Sequence, residues 1–160
     1  MAHQDMLVKL YNIDNDWSFI QEQSKLGITI RKPIGPEKFK VTKWATDKFS
    51  EYWGAEVDKG FSNNPISCFI AIYKSKLIGF SCYDTTALGF FGPTGVSDEY
   101  RGKGTGKALL LAALLDMKLK GYGYAVIGAV GPIEFYEKAV GAEIINGSEK
   151  SIYEGLLRGE

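Results

Sequence analysis

Residues 100–110 read YRGKGTGKALL: three glycines within five residues, interleaved with Lys103 and Thr105, then a run of apolar side chains. Glycine in an ordered segment costs backbone entropy, so three together need a structural reason. A glycine-rich turn that feeds a helix supplies one. The first N–H groups of a helix lack partners inside it and carry the positive end of its dipole, and phosphate is their usual guest. Arg101, Lys103 and Lys107 add positive charge at the same place. A tight turn with solvated basic residues is the plainer reading of the stretch.

Two phosphate patterns fail against it. For G-x-x-x-x-G-K-[ST], ending at Gly106-Lys107, Arg101 stands where the first glycine belongs and Ala108 where the hydroxyl belongs. For G-x-G-x-x-G, Lys107 or Leu109 stands where the third glycine belongs. Nucleotide hydrolysis and hydride transfer therefore lose support.

Outward from this loop the chain alternates short strands and helices. MLVKLYNI reads as a strand, and Asp14 to Leu26 as a helix closed by Gly27. ITIRKP is a second strand. Pro36 opens a helix with Phe39, Val41, Trp44 and Phe49 near helical spacing, and another segment runs from Tyr52 to about Gly60. ISCFIAIY and KLIGFSCY form a hairpin around Ser75, and LGFFGPTGV is a strand broken by Gly92, Pro93 and Gly95. The helix from Thr105 to Lys120 follows, then YAVIGAV as a strand buried on both faces, a helix from Pro132 to Gly141, and AEII and SIYEGLL as closing strands. Antiparallel strands followed by one strand–helix–strand crossover predict an α+β fold: a mixed, mostly antiparallel sheet flanked by helices, with one parallel pair.

Composition limits the function classes. The 160 residues are expected to form one domain. Lys plus Arg number 19 and so do Asp plus Glu, which gives no global field toward nucleic acid or an anionic membrane surface. The longest apolar run, Ala108 to Leu115, is too short for a membrane span, and the N-terminus lacks a signal-peptide core, so a cytoplasmic protein is expected. His3 is the sole histidine, which excludes Ser-His-Asp or Cys-His catalysis and argues against zinc. Cys68 and Cys82 read as small buried residues on neighbouring strands. The aromatics Trp44, Phe49, Tyr52, Trp53 and Phe61 read chiefly as core, with an apolar substrate pocket as the other reading.

RGKGTG, with Arg101, Gly104 and Gly106 on fixed positions, resembles the R/Q-x-x-G-x-G/A signature of the GCN5-related N-acetyltransferases (GNAT family). TGVSDEY before it, KALL after it and EFYEKAVGAEII downstream extend the resemblance from about Ile66 to Ile145, with a weaker match over ITIRKPIGPEKF. Residues 1–25 fall outside it and look like an added strand and helix.

The resemblance implies a GNAT-like fold with a splayed parallel strand pair, and acetyl-CoA as acetyl donor to an amine of a small molecule or peptide. It implies that Arg101, Gly102, Lys103, Gly104, Thr105, Gly106 and Lys107 hold the pyrophosphate of coenzyme A. Backbone groups of Thr94 and Val96 would receive the pantetheine arm beside the broken strand. Such transfer needs the amine deprotonated, an oxyanion stabilised and the leaving thiolate protonated. A backbone N–H near Thr94 could serve the oxyanion, and Tyr136 matches the tyrosine that protonates the thiolate.

Two departures stand out. Where the histone-acetylating branch carries a glutamate base, this chain has Phe90, and where many members carry an asparagine it has Ala129. Asp84 is the first candidate for the base, on the strand beside Phe90, with a turn-capping Asp as the plainer reading of the same residue. Glu56, Asp58 and water are the others. A non-catalytic CoA-binding module and a transferase for another acyl-CoA remain alternatives. The sequence leaves open the acceptor, and whether the protein is a monomer or a homodimer.

Overall fold

The structure is a computed structural model that describes residues 3–159. Strands come first from apolar alternation. β1 (Met6–Lys9) and β2 (Ile28–Arg31) each bury every second side chain, while β3 (Cys68–Tyr73) and β4 (Lys76–Tyr83) are covered on both faces over most of their length. β5 (Phe90–Val96), β6 (Tyr124–Ile127) and β7 (Glu143–Ile144) complete a seven-stranded sheet in the order β2-β3-β4-β5-β6-β1-β7. Every neighbouring pair is antiparallel except β5 with β6.

Five helices cover the sheet: α1 (Ser18–Lys25), α2 (Lys38–Lys48), α3 (Glu51–Ser62), α4 (Thr105–Lys120) and α5 (Ile133–Val140). The apolar run seen in the sequence makes α4 the central helix. Leu109, Leu110, Leu114, Leu115 and Met117 are at most 1% exposed, in a core shared with β1, β4, β5 and β6. The Ser81 hydroxyl, buried in the sheet, donates to the Leu109 carbonyl at 2.9 Å and fixes the height of α4 above β4. On the opposite face, α2 and α3 close a second core of Val41, Ala45, Val57, Phe61, Ile70 and Phe80, with Trp44, Phe49 and Trp53 packed against Phe80. Cys68 and Cys82 are directly opposite each other on β3 and β4, buried as free thiols with sulfurs 3.1 Å apart.

The α+β architecture and its single parallel pair agree with the sequence reading. Two details differ. YAVIGAV is a strand only through Ile127, and Tyr124 is half exposed because it lies at the sheet end, edge-on to Tyr11. SIYEGLL is no strand: Ser151–Tyr153 forms a single 3-10 turn. Ile152, Leu156 and Leu157 are largely exposed and add nothing to the sheet.

One irregularity positions the functional site. β5 pairs with β6 only at Phe90↔Val126 and Phe91↔Ile127. On the other side, the β4–β5 register shifts between Ser81 and Tyr83. From Gly92 onward β5 follows β4 while β6 turns away, which opens a wedge between two parallel strands.

Candidate active site

The wedge is the mouth of a cavity of about 720 Å³. One wall is β5 from Phe91 to Val96, and the other is Ile127 to Pro132, the segment leading into α5. The floor is the glycine loop and the first turn of α4, Arg101, Gly102 and Gly104–Lys107. Trp53 of α3 and Phe135 and Tyr136 of α5 close the remaining sides.

The loop is built as a receptor for negative charge. Gly102 and Gly104 both have φ of +79°, a conformation that other residues adopt only with strain. They let the chain turn sharply into α4, whose N-terminus has no side-chain cap. The N–H groups of Thr105, Gly106 and Lys107 are therefore left for a ligand or water. Arg101 and Lys107 line the cavity and no Asp or Glu does so among the described residues. Asp98, outside the lining, pairs with Arg101 at 3.2 Å on the exposed side of the loop, so inside the cavity Lys107 and the helix dipole supply the positive field together with the rest of the Arg101 guanidinium.

Most of the residues singled out in the sequence come together here. Thr94, Val96, Arg101, Gly102, Gly104, Thr105, Gly106, Lys107 and Tyr136 all line the cavity. Lys103 does not: its ammonium lies 5.6 Å from the centre of the Tyr100 ring, beside a smaller cleft of about 420 Å³ against α1. The Val96 carbonyl accepts from Arg101 Nε at 3.4 Å, and the Thr94 hydroxyl donates to the Phe80 carbonyl at 3.1 Å, tying the bent strand to β4. Tyr136 is 6% exposed, its ring edge-on to Phe91 and Phe135. Burial pushes its phenol up to about 12, so the proton stays on the oxygen across the neutral range.

Asp84 is placed elsewhere. It follows β4 with φ of +58° and is 3% exposed, and it does not line the cavity. Its carboxylate accepts from the Gly89 amide at 2.7 Å, from the Tyr122 hydroxyl at 2.9 Å and from Lys120 at 3.0 Å. These contacts close the β4–β5 turn and lock it to the end of α4, so the base expected at Asp84 is a tied structural carboxylate. Asp84→Ala leaves three donors without their acceptor. Hydrogen bonds to a charged group contribute about 1.5–3 kcal/mol each when well formed. The expected result is a melting temperature lowered by roughly 5 °C or more, with turnover per folded molecule close to the parent's. Thermal denaturation beside active-site-normalised rates checks it; a collapse of turnover without loss of stability would return Asp84 to the chemistry.

The other carboxylates separate by environment. Asp58 pairs with Lys38 at 2.9 Å on the surface and is about half exposed. Glu56 is half-buried on α3, one turn on from the cavity-lining Trp53. The Thr86 hydroxyl donates to its carboxylate, and burial raises its pKa against that bond.

Three features near the site were not visible in the sequence. Gln23 of α1 reaches the glycine loop. Asp5, 4% exposed, accepts from the Ala129 amide at 2.8 Å and from the Ser151 hydroxyl, so both ends of the chain brace the segment that replaces the missing asparagine. Tyr153 puts its hydroxyl against Gly128, where any side chain would collide with it. Contacts between residues 25 to 146 positions apart leave no local pattern to read.

Among the described residues, no group of three His, Cys, Asp or Glu side chains is placed to hold a metal, and no helix is long and apolar enough to cross a membrane.

Comparison with known proteins agrees with this geometry. The family model described as acetyltransferase (GNAT) domain matches residues 64–139. No curated protein matches the chain. Among solved structures, similar folds include a fungal multi-domain β-N-acetylglucosaminidase with a GCN5-related glucosamine N-acetyltransferase region (12% identity, TM-score 0.71, 91% of this chain and 20% of that one). A GCN5-related N-acetyltransferase from Sphaerobacter thermophilus aligns at 18% identity and TM-score 0.67, over 91% of this chain and 50% of that one. A GNAT family acetyltransferase from Brucella melitensis, in complex with acetyl-CoA, aligns at 17% identity and TM-score 0.53, over 74% of this chain and 86% of that one. The chain thus spans a fifth and a half of the first two. The match covers β3 to most of α5, the segment that builds the wedge and the glycine loop: residues 64–139 are similar to the acetyltransferase domain of the GNAT family, and the sheet has the fold of GNAT acetyltransferases.

Proposed function

We propose that the protein is an acetyl-CoA-dependent N-acetyltransferase that acts on an amine of a small molecule or peptide by direct attack. One observation carries the reading: an uncapped helix start that follows two left-handed glycines opens onto a cavity lined, among the described residues, by two cations and no carboxylate, at a wedge between parallel strands. The pyrophosphate fits the loop, and the extended pantetheine arm fits beside β5 as a strand would. The donor supplies the activated acetyl thioester.

The protein's part is position and proton management. The amides of Gly102–Lys107 bind the phosphates, with Arg101 and Lys107 adding charge. The wedge exposes the β5 backbone around Thr94 to the acyl end. Tyr136 holds a proton on its oxygen at the cavity wall, ready to pass it to the departing thiolate.

Among the carboxylates considered as base, Asp84 is tied, Asp58 is paired at the surface, and Glu56 is left: it accepts from Thr86 and does not line the cavity itself, but stands one turn from the lining Trp53. Its burial suits the task, because a raised pKa makes a carboxylate a better proton acceptor near neutral pH. Activity then rises as pH climbs through a value above that of an ordinary glutamate. Glu56→Gln is expected to abolish this acidic limb and to lower kcat while leaving the KM for acetyl-CoA near the parent value. An unchanged pH–rate profile would pass the proton to water.

The reading as a whole is tested by thiol release from acetyl-CoA with a panel of amines, beside calorimetric titration with CoA. Turnover with any amine supports the enzyme. CoA binding without turnover across the panel would favour a binding module, and the absence of both would end the assignment.

A further inference from the structure

α1 belongs to the N-terminal segment that lies outside residues 64–139, yet it touches the middle of the glycine loop. Gln23 is 4% exposed, an unusual place for a primary amide. Both ends of its side chain are used. Nε2 donates to the Lys103 carbonyl at 2.9 Å, and Oε1 accepts from the Thr105 hydroxyl at 2.7 Å. The two partners flank Gly104, and Thr105 is itself 1% exposed.

The geometry matters because the loop is soft. Gly102 and Gly104 on either side of Lys103 leave its two peptide planes easy to rotate. A trans peptide points the C=O of one residue and the N–H of the next in opposite directions. Holding the Lys103 carbonyl toward α1 therefore turns the Gly104 N–H away from α1. Released, that peptide could rotate and present a carbonyl oxygen to the cradle, where it would repel an anion. The bond from Thr105 fixes the first residue of α4 in the same clasp, so the loop and the helix start are set relative to each other.

We infer that Gln23 is a positioning residue for the phosphates of the acyl donor: an amide outside the GNAT-matched segment that keeps the cradle's N–H groups facing the cavity. The inference rests on the reading of the cavity as a CoA site. It assigns α1 a part in donor affinity, separate from the acyl-transfer step. A buried amide that served only packing would give a different pattern of losses, which makes the two separable.

The test uses the full chain with Gln23→Met, which keeps length and volume and loses both hydrogen bonds. A second variant, Gln23→Glu, keeps the acceptor for Thr105 and loses the donor to Lys103. Three quantities are measured: the Kd for CoA by calorimetry, steady-state kinetics with acetyl-CoA, and kinetics with S-acetyl-pantetheine, which has the same thioester and no phosphate. Gln23→Met is expected to raise the Kd for CoA and the KM for acetyl-CoA about tenfold, equivalent to about 1.4 kcal/mol. Its kcat, and its kinetics on S-acetyl-pantetheine, should stay near the parent's. Gln23→Glu should lose more, because a carboxylate facing the Lys103 carbonyl drives that peptide to rotate. Parent-like CoA affinity in both variants would overturn the inference, as would an equal loss on S-acetyl-pantetheine. A parent protein that binds no CoA would overturn the cavity reading itself, a result distinct from either.

Discussion

Tyr136→Phe is expected to lower kcat and kcat/KM together by at least about tenfold, with general-acid contributions typically about a hundredfold to ten-thousandfold. The substitution removes one oxygen from a ring that is 6% exposed and packed edge-on to Phe91 and Phe135. The ring contacts survive, so the melting temperature should change little. A hydroxyl that matters chiefly when the thiolate departs leaves ground-state binding intact, and the Kd for CoA should match the parent's. Water as a substitute donor sets the lower bound. Rates and melting curves for parent and variant check the role, and a fully active Tyr136→Phe protein would remove Tyr136 from the chemistry.

Gly106→Glu should abolish the stabilisation that CoA confers. The parent gains about 2.7 kcal/mol at a hundredfold excess of CoA over its Kd. Gly106 lies in the first turn of α4, has no positive φ, and a Cβ there would meet only Val96, at 3.9 Å. The side chain therefore enters open cavity without backbone strain. A carboxylate in the first turn favours the helix through the same dipole that attracts phosphate, so the variant should fold and occupy its own anion site. Gly106→Ala, with no charge, should keep most of the effect. Thermal shifts with and without CoA decide it: equal stabilisation of the parent and Gly106→Glu would mean that the phosphates sit elsewhere.

The legible parts of this protein were the local ones. The apolar run of α4 and the strands at MLVKLYNI and ITIRKP are each set by their own residues, and the structure repeats them, with the first strand ending at Lys9. The loop at 101–107 was legible because its glycines do one local job, admitting a sharp turn before a helix. Asp84 was readable two ways because a carboxylate at a strand end looks the same in sequence whether it faces a substrate or caps a turn. The Tyr122 and Lys120 that claim it arrive only through the fold. Gln23 carried no signal, since its partners are Lys103 and Thr105. SIYEGLL carries apolar residues as a strand would, but whether a segment pairs is a property of the whole topology, and here the sheet ends at β7.

The place of β1 bears on how the molecule is made. Met6 stands opposite Ile127 on one side and Ile144 on the other, so the first strand of the chain is an interior strand of the finished sheet. Met6 and Val8 are fully buried there. During synthesis, at about 5–20 residues per second, these side chains leave the ribosome seconds before any partner strand exists. They must stay unpaired, or be shielded, until β6 and β7 arrive, and pairings of such long range form slowly. Removing the first nine residues would then do more than trim an end. It would strip the partner from β6 along the wall of the cavity and leave two open edges where the native sheet has none.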